Sequence, residues 1–408
     1  MKAIITPSPL IGTVDAPASK SVAHRALICA TLADKPTNIR CSTTSDDIGA
    51  TAQCLRELGA KINKTEYGFH VEPITTTPSK AKLNCRESGS TLRFMLPVCA
   101  ALSKAVSLYG EGRLPQRPID ELCSALEKHG TSLTSHSLPL TLSGSLCAGE
   151  YEISGSISSQ FISGLLLALP VTHAESTITI TDEIQSKPYI DMTLDVLKSF
   201  GIKTSFSENT IKIYASDGYI SPENYTIEGD WSNGAFFICA DKINFNSVKC
   251  NSLTDNSKQG DKAVVVIVEE IMNSAETEHV KIDVSDIPDL VPVLATTACF
   301  RKGKTVFGNA ARLRIKESDR LLSTSEMIKN LGGKAEITED TLTVYGNGTL
   351  KGGTVDSFND HRIVMSAAIA ASGCETEVTI ANAQAVNKSF PDFFEKLKKL
   401  GAQIEIIN

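Results

Sequence analysis

The sequence predicts an α/β protein of six repeated units that pack as two globular domains of three units each. Five helix endings are nearly identical and a sixth is degenerate: LRELGAKI from Leu55, LEKHGTSL from Leu126, LKSFGIKT from Leu197, VEEIMNSAETEHVKI from Val268, IKNLGGKAEI from Ile328 and LKKLGAQIEI from Leu397. By subtraction, their starts lie 71, 71, 71, 60 and 69 residues apart. Units of this length exceed the roughly 20 to 50 residues of common stacked repeats, which favours two closed groups over an open solenoid.

Each copy predicts one helix followed by one strand. The glycine that closes five of the helices supplies the left-handed backbone of a C-cap. The alternating apolar residues that follow, such as Ile211 and Ile213, are typical of a strand. An acidic residue is expected to open each helix, where the dipole favours negative charge. These residues are Asp47, Asp120, Asp191, Asp261, Asp319 and Asp392.

The composition predicts a soluble, cytoplasmic protein. The 408 residues are 41% hydrophobic, and neither a membrane-spanning apolar run nor a signal peptide is evident. Eleven cysteines without a C-x-x-C pair favour reduced core thiols, and the histidines lack metal-ligand spacing, so no metal is predicted. The net charge of −7 argues against nucleic acid as a partner. We expect a monomer that binds a small anion.

Small polar and basic residues gather at predicted helix starts, where free N–H groups and the helix dipole attract anions. At the first start, Ser19 or Ser21 can cap the helix, and Lys20 and Arg25 supply charge. At the second, Gly89 lets a ligand approach the backbone closely. Capped surface helices with solvated basic residues are the alternative for either start alone.

Further helix starts repeat this arrangement. They are Gly155-Ser156-Ile157-Ser158-Ser159-Gln160, the segment Arg312–Arg320 with four bases and two acids, Asn359-Asp360-His361-Arg362, and Lys388-Ser389-Phe390-Pro391-Asp392 with capping-box spacing. Ordinary loops and solvated salt bridges are the alternative. Cations repeated at positive helix ends cost stability without a counter-ion, so the repetition favours an anionic ligand.

Together these motifs resemble the 5-enolpyruvylshikimate-3-phosphate synthase family. The matching segments run in order along nearly the whole chain: SKSVAHRA at Ser19, ESGSTLRF at Glu87, QRPID at Gln116, GSISSQF at Gly155, SKPYIDMT at Ser186, EGD at Glu228, QGD at Gln259, IPDLVP at Ile287, RIKESDR at Arg314, NDHR at Asn359 and KSFPDFF at Lys388.

The resemblance implies two α/β domains, each of three repeated units packed around parallel helices, with the active site in the interdomain cleft. Residues 1–18 plus 229–408 would form the first domain, on the phosphoenolpyruvate and proton-transfer side. Residues 19–228 would form the second domain, on the shikimate 3-phosphate side. Cations contributed by both domains should repel without ligand, so bound anions are expected to favour domain closure.

The family reaction transfers the enolpyruvyl group of phosphoenolpyruvate to the 5-hydroxyl of shikimate 3-phosphate and releases phosphate, through a tetrahedral intermediate and without a cofactor. The resemblance assigns catalysis to Lys20, Asp289, Lys316, Glu317 and His361. It assigns shikimate 3-phosphate binding to Lys20, Ser21, Arg25, Ser158, Ser159, Gln160, Ser186, Tyr189, Asp289 and Lys316. It assigns phosphoenolpyruvate binding to Lys20, Gly89, Arg117, Gln160, Arg320, Arg362 and Lys388.

Two alternatives have distinct sequence signatures. A UDP-N-acetylglucosamine enolpyruvyl transferase would carry Lys-Asn in place of Lys20-Ser21, and a reactive cysteine loop in place of Glu111-Gly112-Arg113. A non-catalytic anion-binding relative would not need acids such as Asp289 and Glu317.

The chain also departs from the family pattern. The loop Arg86–Ser90 and Phe94 differ from the residues of many relatives, so glyphosate sensitivity does not follow from the resemblance. Arg312 replaces an Asn that contacts the shikimate phosphate in some relatives, so that contact is left out of the assignment.

Overall fold

The computed structural model describes residues 1–102 and 105–407. Within these ranges it contains twelve α-helices: α1 Lys20–Thr31, α2 Asp46–Glu57, α3 Gly89–Ala101, α4 Asp120–Lys128, α5 Ser159–Ala168, α6 Lys187–Ser199, α7 Trp231–Ala240, α8 Val264–Asn273, α9 Val291–Ala298, α10 Arg320–Asn330, α11 His361–Ala370 and α12 Phe393–Lys399.

The same part of the chain contains twenty-two strands: β1 Lys2–Thr6, β2 Ile11–Asp15, β3 Thr37–Arg40, β4 Lys61–Thr65, β5 Gly68–Glu72, β6 Lys80–Asn84, β7 Ala105–Tyr109, β8 Thr131–Leu133, β9 Leu140–Gly144, β10 Glu150–Ile153, β11 Ser176–Ile180, β12 Thr204–Ser207, β13 Thr210–Ile213, β14 Asn224–Thr226, β15 Ser247–Asn251, β16 His279–Asp283, β17 Lys302–Gly308, β18 Lys334–Ile337, β19 Leu342–Asn347, β20 Gly353–Asp356, β21 Val378–Ala381 and β22 Gln403–Ile407.

Five sheets share one strand pattern. Over the described residues, two parallel strands are followed in each of these sheets by two antiparallel ones. The strand orders are β6-β7-β9-β8, β10-β11-β13-β12, β16-β17-β19-β18, β14-β3-β5-β4 and β20-β21-β1-β22. The repeat found in the sequence therefore corresponds to a repeated structural unit.

Among the residues that the structure describes, the sixth sheet contains only the parallel pair β15-β2. In four other units a helix such as α2 is followed by two antiparallel strands, and α12 is followed by β22, which pairs with β1. In contrast, α8 leads directly to β16. The lost strands account for the degenerate copy at Val268 and for the 60-residue interval after it. Asp241 Oδ1 accepts the Val248 N–H of β15 at 2.9 Å, which satisfies a main-chain donor where the partner strand is missing.

The chain divides into two compact units. Unit 1 comprises Met1–Pro17 and the chain from Glu228 onward, and unit 2 comprises Ala18–Ile227. The boundaries expected from the sequence lie one residue later at each crossing. Each unit has its own hydrophobic core.

Three mostly buried helices lie at the core of each unit: α1, α3 and α5 in unit 2, and α7, α9 and α11 in unit 1. Their sequences are rich in alanine, leucine, valine and isoleucine, and polar residues are concentrated at their starts. Because an apolar helix can be buried on all sides, its polar amino-terminal turn is the place where it can present functional groups.

The predicted acidic helix openings are partly right. Asp47 and Asp120 lie in the first turns of α2 and α4, and Asp319 is the N-cap of α10. Asp191 does not open a helix, because α6 begins at Lys187 and Asp191 pairs with the Lys187 ammonium at 2.8 Å.

The remaining two openings differ from the prediction in detail. Asp261 lies in a 3-10 helix, Gly260–Ala263, ahead of α8, and Asp392 occupies the N-cap position of α12 without a side-chain capping bond. No helix in the described ranges is long and apolar enough to cross a bilayer. The eleven cysteines, all in those ranges, are free, and most are buried.

Candidate active site

Unit 2 presents Lys20 at the start of α1. Ser19 is the N-cap, and its hydroxyl accepts the Val22 N–H at 3.5 Å. Lys20 Nζ lies 2.8 Å from Asp47 Oδ2 on α2, and each of the two side chains is 13% exposed. The first turn of α1 thus holds a cation at the positive end of the helix dipole. An anion bound there would be stabilised both by the lysine charge and by the helix dipole.

Arg25, one turn further along α1, is almost fully buried. Its Nε donates to Thr193 Oγ1 at 2.7 Å, and Nη1 donates to the Ser21 carbonyl at 2.7 Å. Its Nη2 donates to Ser163 Oγ at 3.2 Å and to the Tyr189 carbonyl at 3.1 Å. Burial lowers the pKa of Arg25 to about 10, so it remains charged at neutral pH. These bonds fix the guanidinium at the junction of α1, α5 and α6.

The starts of α3 and α5 are joined by side chains. Gln160 Nε2 donates to Ser90 Oγ at 2.8 Å, and its Oε1 accepts from Arg93 Nη1 at 2.8 Å. A β-carbon on Gly89 would lie 2.5 Å from Arg117 Nη1, so the Arg117 guanidinium rests against the helix start. The structure brings together three predicted phosphoenolpyruvate residues, Gly89, Arg117 and Gln160, within this unit.

The predicted phosphate-binding serines also stand at helix starts. Ser158 caps α5 through the Gln160 N–H at 3.3 Å, and Ser159 is the first helical residue. Ser186 precedes α6 with φ 57° and ψ 40°, a left-handed conformation that costs a non-glycine residue about 1 kcal/mol or more. Such strain is typical of functional sites, and here it sets the direction in which α6 begins.

Unit 1 is organised around Arg320, which is 1% exposed. Its Nη1 donates to Asp289 Oδ1 at 2.5 Å, its Nη2 to Glu317 Oε2 at 2.7 Å, and its Nε to Asp360 Oδ2 at 2.8 Å. Burial opposes the charge, but the three carboxylates outweigh it and raise the pKa of Arg320. We call Arg320, Asp289, Glu317 and Asp360 the Arg320 cluster.

Asp289 connects this cluster to two more cations. Lys316 Nζ lies 3.6 Å from Asp289 Oδ1, and Arg362 Nη2 lies 3.3 Å from Asp289 Oδ2. Burial lowers the pKa of Lys316 to about 8, although Asp289 opposes this shift. A lysine with such a pKa can exchange protons near neutral pH.

Lys388 lies elsewhere than predicted. It ends a 3-10 helix, Ala383–Lys388, instead of preceding a capped helix start. Ser389 does not form a capping box with Asp392, because its hydroxyl is bonded to the Asn233 side chain. Lys388 Nζ donates to the Asn359 carbonyl at 2.6 Å, which places the ammonium beside the start of α11 by a tertiary contact.

His361 is the first residue of α11 and is buried. Its Nδ1 lies 3.8 Å from Asp360 Oδ1, so this predicted catalytic residue is a neighbour of the Arg320 cluster.

Several polar residues near these helix starts were not predicted as site residues. They are Asp47, Arg93, Asp261 and Asp360. Asp261 accepts the Ser232 hydroxyl, and burial, followed by the charge of Asp289, raises the pKa of Asp261 to about 7. All four of these residues lie in or near a motif noted in the sequence. Their contacts, however, are with segments distant in the sequence, and the motifs do not indicate such contacts. Among the described residues, no group of three or more His, Cys, Asp or Glu side chains could hold a metal ion.

Comparison with known proteins gives one consistent result. A family model described as EPSP synthase (3-phosphoshikimate 1-carboxyvinyltransferase) matches residues 4–397. Proteins named 3-phosphoshikimate 1-carboxyvinyltransferase from Clostridium novyi and Clostridium perfringens are 39% and 40% identical to this chain, and each alignment covers 98% of both chains. A solved structure of EPSP synthase from Acinetobacter baumannii, 24% identical, matches with a TM-score of 0.82 over 100% of both chains. This likeness confirms the predicted fold class.

Proposed function

Because the chain belongs to the EPSP synthase family, we propose that the helix starts of its two units bind the substrates and carry out the chemistry of enolpyruvyl transfer. The protein is a 3-phosphoshikimate 1-carboxyvinyltransferase: it transfers the enolpyruvyl group of phosphoenolpyruvate to shikimate 3-phosphate, in the shikimate pathway to the aromatic amino acids. The proposal concerns which residues act, and how.

The observation that carries the proposal is the Arg320 cluster. One buried guanidinium binds Asp289 through Nη1 at 2.5 Å and Glu317 through Nη2 at 2.7 Å, so it holds the two carboxylates in fixed positions next to each other. Protonation of the methylene carbon of phosphoenolpyruvate makes its neighbouring carbon electrophilic. One group must therefore deliver a proton while another removes the proton of the attacking 5-hydroxyl.

We assign these tasks to two carboxylates and one lysine. Asp289 accepts the hydroxyl proton, and Lys316 and Glu317 form the pair that exchanges protons with the methylene carbon. The hydroxyl oxygen bonds to the central carbon and gives a tetrahedral intermediate. Loss of phosphate and of one proton from the new methyl group then restores the double bond, now as the enolpyruvyl ether. His361, whose Nδ1 lies 3.8 Å from Asp360 Oδ1, is the remaining residue that we assign to catalysis.

The proposed substrate ligands form two sets. Shikimate 3-phosphate would be held by Lys20, Ser21, Arg25, Ser158, Ser159, Gln160, Ser186 and Tyr189 of unit 2, with Asp289 and Lys316. Arg25 would meet the carboxylate, and the three serines the phosphate, because hydroxyl and guanidinium donors suit these oxygens. Phosphoenolpyruvate would be held by Lys20, Gly89, Arg117, Gln160, Arg320, Arg362 and Lys388.

The charge that develops on the departing phosphate needs cations. Lys20, Arg117 and Lys388 are placed at helix starts or beside them, where the cation and helix N–H groups can act together. We further propose a cytoplasmic monomer. All assigned residues come from one chain, and the free cysteines suit a reducing compartment.

The assignment is tested by phosphate release. Purified protein is expected to release phosphate from phosphoenolpyruvate only when shikimate 3-phosphate is present, because the acceptor hydroxyl completes the intermediate. Initial rates would be measured with shikimate 3-phosphate, with UDP-N-acetylglucosamine and with no acceptor, each with and without a chelator. Phosphate release with UDP-N-acetylglucosamine as acceptor, and none with shikimate 3-phosphate, would contradict the assignment.

Gly89→Ala is expected to raise the KM for phosphoenolpyruvate by about ten- to hundredfold, because an added methyl would displace the Arg117 guanidinium, 2.5 Å away. The matched control is Gly49→Ala on α2, where an added β-carbon would have no atom within 4 Å apart from the neighbouring backbone of its own helix. Steady-state kinetics with each substrate varied in turn would separate the two KM values. Equal KM values for both variants would remove the Gly89–Arg117 contact from the phosphoenolpyruvate site.

A further inference from the structure

We infer that His24 is a positioning residue that holds the first turn of α3 through a buried relay of three hydroxyl groups. The relay comprises His24 on α1, Thr51 on α2, Thr91 on α3 and Ser88, the N-cap of α3. This inference deepens the proposed function and rests on the assignment of Gly89 and Arg117 to phosphoenolpyruvate binding.

The relay is continuous and buried. His24 Nδ1 lies 2.7 Å from Thr51 Oγ1, and Thr51 Oγ1 lies 2.7 Å from Thr91 Oγ1. Thr91 Oγ1 donates to Ser88 Oγ at 2.8 Å. His24, Thr51 and Thr91 are 0% exposed and Ser88 is 1% exposed. A buried hydrogen bond is costly to leave unmade, so the four side chains hold one another in place.

Counting donors gives the relay a direction. A hydroxyl has one proton, and Thr91 gives its proton to Ser88. Thr91 must therefore accept from Thr51, and Thr51 must accept from His24. This assigns the ring proton of His24 to Nδ1. It agrees with the other ring nitrogen, Nε2, which is buried and has no hydrogen-bond partner among the described residues.

His24 stays neutral in this position. Burial lowers its pKa well below the usual value, and the charges of Lys20 and Arg25 on the same helix act in the same direction. The relay therefore keeps one protonation state across the neutral pH range.

The relay ends where a ligand would be held. Ser88 Oγ accepts the Thr91 N–H at 3.2 Å and so fixes the first turn of α3. The next residue is Gly89, against which the Arg117 guanidinium rests. A small rotation of Ser88 would shift the Gly89 backbone relative to Arg117, and misplacement of a binding group is expected to weaken binding of phosphoenolpyruvate.

Thr51→Val tests the relay, because valine keeps the shape of threonine and removes the hydroxyl. We expect the KM for phosphoenolpyruvate to rise about three- to tenfold, with the KM for shikimate 3-phosphate unchanged. Thr91→Val should have a similar effect, and the double variant should be no worse than either single one, because one break already interrupts the relay.

The matched control is Thr31→Val. Thr31 is also 0% exposed and lies on the same helix as His24, but its hydroxyl donates to the Ile28 carbonyl at 2.8 Å, outside the relay. In urea unfolding, Thr31→Val should lose about as much stability as Thr51→Val. Its KM values for both substrates should equal those of the wild type. Wild-type protein inactive with shikimate 3-phosphate would refute the proposed function. If the wild type is active and Thr51→Val has the same two KM values as Thr31→Val, the relay is refuted and the proposed function stands.

Discussion

Arg320→Ala is expected to lower the free energy of unfolding by about 3 to 5 kcal/mol and to abolish measurable turnover. The guanidinium is 1% exposed and is bonded to Asp360, which is 0% exposed. Removing one partner of a buried ion pair leaves the other charge uncompensated, and that penalty is of this size. Turnover should vanish because Asp289 and Glu317 lose the group that fixes them.

The measurement is urea-induced unfolding followed by circular dichroism, with turnover measured on the same samples. Arg314→Ala is the matched control, because its pair with Asp319 is partly exposed, at 32% and 28%, and pairs open to solvent contribute less than about 1 kcal/mol. A loss of stability no larger for Arg320→Ala than for this control would show that Arg320 does not organise unit 1.

Glu317→Gln and Asp289→Asn are each expected to lower kcat by about 10²-fold or more, the usual contribution of general acid–base groups. Both amides are isosteric with the acids they replace. Binding of shikimate 3-phosphate, measured by calorimetry, should change little, because most of its proposed ligands lie in unit 2.

Asp319→Asn serves as the control for both variants. Asp319 caps α10 within the same acidic and basic segment, and asparagine caps helices equally well. Its kcat should equal that of the wild type. Near wild-type kcat in Glu317→Gln or Asp289→Asn would exclude that residue from proton transfer.

The sequence predicted those parts of the site that depend on local structure. Ser19, one of the two candidate caps, caps α1, and α3 and α5 begin within the Gly89 and Gly155 motifs as predicted. A cap and its helix lie within a few residues of each other, so their signature survives in the sequence alone. The repeat could also be predicted from the sequence, because a helix that ends with glycine and is followed by a strand is a local pattern.

The sequence did not predict the contacts between distant segments. Arg320 meets residues 31 and 40 positions away, and no spacing rule indicates which carboxylates a buried arginine will bind. The capping box at Ser389 failed for the same reason, since Asn233, 156 positions away, binds the Ser389 hydroxyl. Asp191 was misplaced because Lys187 and Pro188 start α6 earlier, so the acid lies in the second turn.

The discontinuous course of unit 1 has a consequence for the nascent chain. Unit 2 is one continuous stretch, so it can fold as soon as Ile227 has been synthesised. Strand β1 is made before it, yet β1 lies between β21 and β22, and Lys2 pairs with Ile407. Pairing across so long a stretch forms slowly. The first strand that the ribosome makes is therefore expected to be among the last to reach its native place.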